Sequence, residues 1–239
     1  MEKNNKIILS VLIILTIGVI VACVFALRTN KDKSLSDAIT FRNEYMELNE
    51  KTNDNGVMYP DVTISESNTI EYKSAKEVVN LLKKGTGIIY FGFPTCPWCR
   101  SLVTSLAKVA ESEHEPIYYL NIQDMRSSFA LEEGKLKKTK DGSKEYYQIL
   151  ELLDSHLEKF ILEDEAGNSF DTKEKRLYAP TIVSVKDGVV KKIHVGTIES
   201  QKSAYDKLTN SNLEELENIV KDVIDSKNIP TSCSEDDKC

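Results

Sequence analysis

Two cysteines stand three positions apart in YFGFPTCPWCR, the stretch from Tyr90 to Arg100. Such a pair can form half of a zinc site, close a small disulfide or exchange electrons with other thiols. A tetrahedral zinc site needs two more ligands at fixed spacing, and the chain has no second CxxC and no His-x₃₋₅-His. His114, His156 and His194 are scattered and read as surface or half-buried side chains, so no metal and no cofactor is expected. Thiol chemistry fits better. Pro97 follows Cys96, and proline favours the first position of a helix. The Cys96 sulfur then sits at a helix N-terminus, where free N–H groups and the positive dipole end favour a thiolate. Cys99 lies one turn on, placed to attack the mixed disulfide that Cys96 forms with a substrate. The expected catalytic residues are therefore Cys96 as nucleophile and Cys99 as resolving thiol. Pro97 has a structural role, and Trp98 offers apolar contact to a substrate peptide.

Elements of the right type flank the pair. Gly87-Ile-Ile-Tyr-Phe91 is a continuous apolar run, as in a central strand buried on both faces. After the motif, Leu102, Val103, Leu106, Val109 and Ala110 mark one face of a helix. Ile117 to Ile122 reads as a second buried strand. Before the motif come a short strand at Thr69–Tyr72 and a helix opened by the capping box Ser74-Ala-Lys-Glu77 and stopped by Gly85. The order β-α-β-α-β predicts parallel pairing of the two strands on either side of the motif helix. Farther on, Thr181–Val185 and Val189–Val195 read as strands joined by the hairpin signal Asp187-Gly188. Leu213, Leu216, Val220 and Val223 define a last amphipathic helix. Between these blocks, Ser143 to Ile161 predicts one long amphipathic helix through Tyr146, Ile149, Leu150, Leu153, Leu157 and Phe160.

The apolar strand, the PTCPWCR helix start, Ala179-Pro180-Thr181 and the KDGVV hairpin together resemble the thioredoxin superfamily over roughly residues 70–224. The resemblance implies an α/β thioredoxin-like fold, a central mixed sheet flanked by helices. It also implies a cis Pro180 beside the cysteines and an Ala179 backbone that pairs with substrate peptide. Two departures stand out. The buried acid that thioredoxins carry in the preceding strand is replaced by Tyr90, and about 123–175 holds an inserted helical element. With the N-terminal apolar segment, the chain looks similar to the thioredoxin-like bacteriocin transport accessory proteins of Gram-positive bacteria. This implies a helper for disulfides in exported peptides.

Ile7 to Leu27 contains no charged residue, and as a helix it would be about 30 Å long, the thickness of the hydrocarbon core. The segment 1–27 is expected to be a membrane anchor or signal segment. Two readings stay open, an uncleaved single-pass anchor and a lipoprotein attached through Cys23 in Ile20-Val-Ala-Cys23. Residues 28–60 are expected to form a stalk, 61–230 the thioredoxin-like domain and 231–239 a loose tail. Cys233 and Cys239 in that tail would suit an oxidising compartment, which favours a catalytic domain outside the cytoplasm. A net charge of −7 with no basic stripe argues against nucleic-acid binding. The expected function is a membrane-anchored thiol–disulfide oxidoreductase. Its partners would be protein or peptide thiols and disulfides, the membrane through residues 7–27, and a membrane redox partner or export machinery. The alternative is a redox-silent adaptor that keeps the fold to bind peptides.

Overall fold

A computed structural model describes residues 2–229, with side chains placed for 15–29 and 31–229. Nine strands and five α-helices follow in the described chain. Five of the strands make the central sheet: β1 (Ile70–Tyr72), β2 (Gly87–Gly92), β3 (Ile117–Asn121), β8 (Thr181–Lys186) and β9 (Val189–Val195), in the order β1-β3-β2-β8-β9. β1, β3 and β2 run parallel, and β8 and β9 are antiparallel to their neighbours. The sheet is thus mixed, and the two strands flanking the motif helix pair in parallel, as the β-α-β order requires.

Side chains on β2 alternate between two cores because successive residues of a strand point to opposite faces. Ile88 and Tyr90 enter a core with α3 (Pro97–Ser112), α5 (Asn210–Ser226) and the C-terminal end of α1 (Glu2–Met46). Ile89 and Phe91 enter the other core, under α2 (Ala75–Lys84) and α4 (Lys144–Leu152). This two-sided burial is why β2 is apolar throughout. Ser74 and Glu77 form the capping box of α2, and the N–H of the stop residue Gly85 donates to Leu81 O. The β8–β9 turn rests on this helix end. Gly188 has φ +77 and donates its N–H to Gly85 O at 2.9 Å, and a side chain there would run into the backbone of Lys83.

Two expectations need correction. The first is the stalk: from Ala38 onward the segment 28–60 packs into the domain. Ala38, Phe41 and Tyr45 are fully buried. Polar contacts hold this stretch as well. Asn68 Nδ2 donates to Ala38 O at 3.0 Å, Tyr72 N donates to Asp37 Oδ2 at 3.1 Å, and Tyr72 Oη donates to Glu44 Oε2 at 2.7 Å. The apolar face of this end of α1 covers β1 and β3, with Phe41 edge-on to Tyr72 and Tyr119.

The second is the inserted element. It contains the helix α4, but also two antiparallel hairpins, β4 (Ser128–Glu132) with β5 (Lys135–Lys140) and β6 (Lys159–Glu163) with β7 (Ser169–Lys175). The long helix expected over Ser143–Ile161 ends at Leu152. A short 3-10 turn at Asp154–His156 follows, and Leu157 is extended at φ −108, ψ 142. Leu153 and Leu157 are still buried against the same core, which is why they continue the helical stripe in the sequence.

Among the described residues no helix is long and apolar enough to cross a membrane, and positions 7–14 of the apolar run lie outside those whose side chains are described. Cys233 and Cys239 also lie outside the described residues.

Candidate active site

The strand β2 delivers the chain to the start of α3, and Cys96 caps that helix in extended geometry, φ −79 and ψ 115, with Pro97 next to it at the helix start. The Cys99 N–H donates to Cys96 Sγ at 3.3 Å. On the other side, Cys96 Sγ donates to Ala179 O at 3.4 Å. The Ala179–Pro180 bond is cis, and the Ala179 backbone lies against the cysteine pair. Five of the sequence-predicted residues, Cys96, Pro97, Cys99, Ala179 and Pro180, therefore meet at one point. Trp98 is half-buried and packs against the core that contains both cysteines.

The two sulfurs are not equivalent. Cys96 keeps 7% of its surface exposed and Cys99 none. Both are free thiols. The hydrogen bond from the Cys99 side chain holds the Cys96 thiol below the ordinary cysteine range. The N–H groups of Cys99 and Trp98 and the charge of Arg126 add to this, while burial opposes it. Burial pushes the Cys99 thiol well up, and the neighbouring Cys96 pushes it the same way; the Phe93 backbone and the Tyr90 hydroxyl pull it back. A dithiol with one low and one high value can hold a thiolate at the accessible sulfur and keep the buried one protonated until it is needed.

No family model, no curated protein and no solved structure matches the chain. What the site can do follows from its own residues.

Three of those residues do not read as site residues in the sequence, and two of them, Tyr45 and Arg126, carry no motif signal. Tyr45 reaches the site from α1, with its Oη 3.0 Å from Tyr90 Oη. Arg126, in the loop after β3, stacks its guanidinium 4.7 Å from the Phe93 ring centre, and its charge acts on Cys96. Arg100 ends the motif and is buried, with no carboxylate in salt-bridge contact among the described residues. Its guanidinium donates to Tyr45 O at 2.7 Å, Pro60 O at 2.6 Å, Pro94 O at 3.3 Å and Asn49 Oδ1 at 2.7 Å. A planar fork with five donors suits this cluster of oxygens, where a lysine could serve only part of it. The composition of the motif gives Arg100, but not its targets, which lie in the supposed stalk.

The insertion contributes a rim. Phe129, Phe160 and Tyr178 form an edge-to-face row, with centroids 5.8 Å and 6.3 Å apart, that leads to the residue before Ala179. Arg176 lies 4.3 Å from the centre of the Phe160 ring.

Proposed function

We propose that the chain is a thiol–disulfide oxidoreductase of thioredoxin type, anchored in a membrane through residues 7–27 and acting on disulfides of exported proteins or peptides. The single observation that carries this reading is the placement of Cys96 Sγ between the Cys99 N–H at the helix start and the Ala179 carbonyl beside cis-Pro180. The thiolate of Cys96 attacks one sulfur of a substrate disulfide. A Cys96–substrate bond forms and the other substrate sulfur leaves with its electron pair. Cys99 then attacks Cys96 Sγ, the substrate's second sulfur leaves, and the protein holds a Cys96–Cys99 disulfide. Substrate is reduced by two electrons and the dithiol is oxidised by two; run backward, the same steps insert a disulfide.

The resemblance to bacteriocin transport accessory proteins narrows the substrate to secreted peptides with cysteine pairs. The aromatic and cationic rim of Phe129, Phe160, Tyr178, Arg126 and Arg176 is a surface on which such a peptide can lie. The anchor is supported by the apolar side chains of Leu15, Ile17, Val19, Ile20, Val21, Val24, Phe25 and Leu27, all more than half exposed.

The test is exchange between the full chain and a peptide carrying one disulfide. The wild-type protein should interconvert the thiol and disulfide forms, Cys96→Ser should be inactive, and Cys99→Ser should accumulate a mixed disulfide at Cys96. Equal exchange rates for wild type and Cys96→Ser would reject the reading.

A further inference from the structure

The buried cysteine faces two tyrosines. Tyr90 is fully buried in the same core as Cys99, whose thiol its hydroxyl acts on, and its Oη is 3.0 Å from Tyr45 Oη. Gly92 makes room for this phenol, because a Cβ at that position would fall well inside contact distance of Tyr90 Oη. The phenol is therefore directed past Gly92 toward the motif rather than outward. Tyr119 stacks on Tyr90 with centroids 5.4 Å apart, and its own hydroxyl lies near Tyr45 but outside hydrogen-bonding geometry. One arrangement uses each of the two connected hydroxyls once as a donor: Tyr45 Oη–H to Tyr90 Oη, and Tyr90 Oη–H to Cys99 Sγ.

We infer that Tyr45 and Tyr90 form a donor chain ending on Cys99 Sγ that favours the thiolate of the resolving cysteine. In this chain Tyr90 is the donor to the reacting sulfur, and Tyr45 is a positioning residue acting through it. The inference deepens the oxidoreductase reading and rests on it for its purpose. Resolution requires Cys99 to attack as an anion, yet a fully buried sulfur far from water resists ionisation. The Cys96–Cys99 bond forms as the Cys96–substrate bond breaks, and the proton given up by Cys99 ends on the departing substrate sulfur. A phenol donating to the buried sulfur stabilises its anion, and a second phenol donating to the first strengthens that donor. The other titratable or charged groups that act on this pair are Cys96 from α3, Tyr119 from β3 and Arg126 from the loop after β3. The chain also connects the C-terminal end of α1, the helix that contains the apolar segment, to the proposed redox centre through Tyr45.

The experiment uses the full chain with Cys23, Cys233 and Cys239 replaced by serine. Cys96 is loaded as a mixed disulfide with 5-thio-2-nitrobenzoate, and release of the coloured thiol by Cys99 is followed against pH. Tyr90→Phe should move the midpoint of the rate profile up by about one pH unit or more, as expected for loss of a hydrogen bond to a charged group. Tyr45→Phe should move it in the same direction by less, and the double variant should match Tyr90→Phe alone. Tyr119→Phe, which removes a hydroxyl without a partner from the same cluster, should leave the midpoint in place. An unchanged midpoint in a folded Tyr90→Phe protein would overturn the inference. So would an equal shift in Tyr119→Phe, which would mark a packing effect. Because the leaving thiol is artificial, the profile reads the donor chain even if no peptide disulfide is turned over, so the two readings can fail separately.

Discussion

Arg100 donates to the carbonyl of Tyr45 at 2.7 Å and thereby ties the helix that carries the cysteines to the helix that leads in from the N-terminus. The same guanidinium binds Pro60 O and Asn49 Oδ1, and Asn49 in turn exchanges two hydrogen bonds with the backbone of Val62. One buried cation thus closes the loop from residue 45 to 62 around the start of α3. Burial lowers its affinity for a proton, but it remains charged against a ring of carbonyl oxygens. Arg100→Met keeps most of the apolar stem and leaves those oxygens unpaired, so it should cost roughly 2–4 kcal/mol in urea unfolding. Arg100→Lys should recover only part of this. A loss below measurement error in Arg100→Met would show that the carbonyls are satisfied otherwise.

The segment 34–60 belongs to the folded unit. A chain starting at residue 34 should unfold cooperatively, and one starting at residue 61 should be less stable by several kcal/mol. It lacks the buried side chains of Ala38, Phe41 and Tyr45, of which a large one contributes about 1.5–3 kcal/mol. Denaturant midpoints of the two fragments, measured side by side, check this. Equal midpoints would return 34–60 to the role of a stalk.

The contrast between Cys96 and Tyr45 shows what a sequence can disclose about such a site. Cys96, Pro97 and Cys99 are neighbours in the chain, and their chemistry follows from local helix geometry. β2 is legible because both its faces are buried. Tyr45 and Tyr90 meet across forty-five positions, and nothing in the composition of 28–60 distinguishes a helix face that covers β1 and β3 from one left free on a stalk. The β4–β5 hairpin escapes for another reason. Lys135–Lys140 is largely exposed and lysine-rich, so it lacks the alternation that signals a half-buried strand. The helix read through Leu157 and Phe160 fails because leucines that line one core from a helix, a 3-10 turn and an extended segment produce the same spacing.

Cys96 should react with iodoacetamide at pH values where an ordinary thiol, with a pKa of about 8.5, is mostly protonated. The first cause of its depressed value is the Cys99 side chain. Cys99→Ala should therefore move the alkylation midpoint of Cys96 upward, toward the ordinary value. Arg126→Gln should move it the same way by less. Cys99 itself should stay unmodified in the folded protein, since it is fully buried. Alkylation of Cys96 with an unshifted midpoint in wild type would remove the basis for its proposed role as nucleophile.

Alkaline pH should destabilise the reduced protein. Burial raises the Cys99 thiol and the phenols of Tyr45, Tyr90 and Tyr119 above their ordinary values. A group raised in the folded state contributes stability that is complete below its unfolded pKa and lost as pH climbs through the folded one. Losses should thus begin above about pH 8.5 for Cys99 and above about pH 10 for the phenols. Cys96 has the opposite sign: its contribution is complete above the unfolded thiol value and is lost as pH falls through its depressed folded value. Urea midpoints at about pH 7, 9 and 11 measure the balance, and Tyr90→Phe should flatten the fall at the highest value. A midpoint that holds steady from pH 9 to 11 would contradict the burial of these groups.

Gly92 ends β2 under the Tyr90 hydroxyl, and no unusual backbone angle explains a glycine there. Its purpose is space: a Cβ would fall inside contact distance of both the oxygen and the ring of Tyr90. The phenol cannot retreat easily, since it is stacked on Tyr119 and hydrogen-bonded to Tyr45. Gly92→Ala should therefore destabilise the protein by about 1–3 kcal/mol, the usual cost of overpacking a filled core. It should also slow attack by Cys99 on a mixed disulfide at Cys96, because it displaces the hydroxyl proposed to donate to that sulfur. Tyr90→Phe removes that hydroxyl by another route, so the two substitutions act on one contact. Their combined effect on the Cys99 step should be well short of the sum of the single effects. Additive losses would mean that Gly92 serves the backbone of β2 and leaves the tyrosine chain untouched.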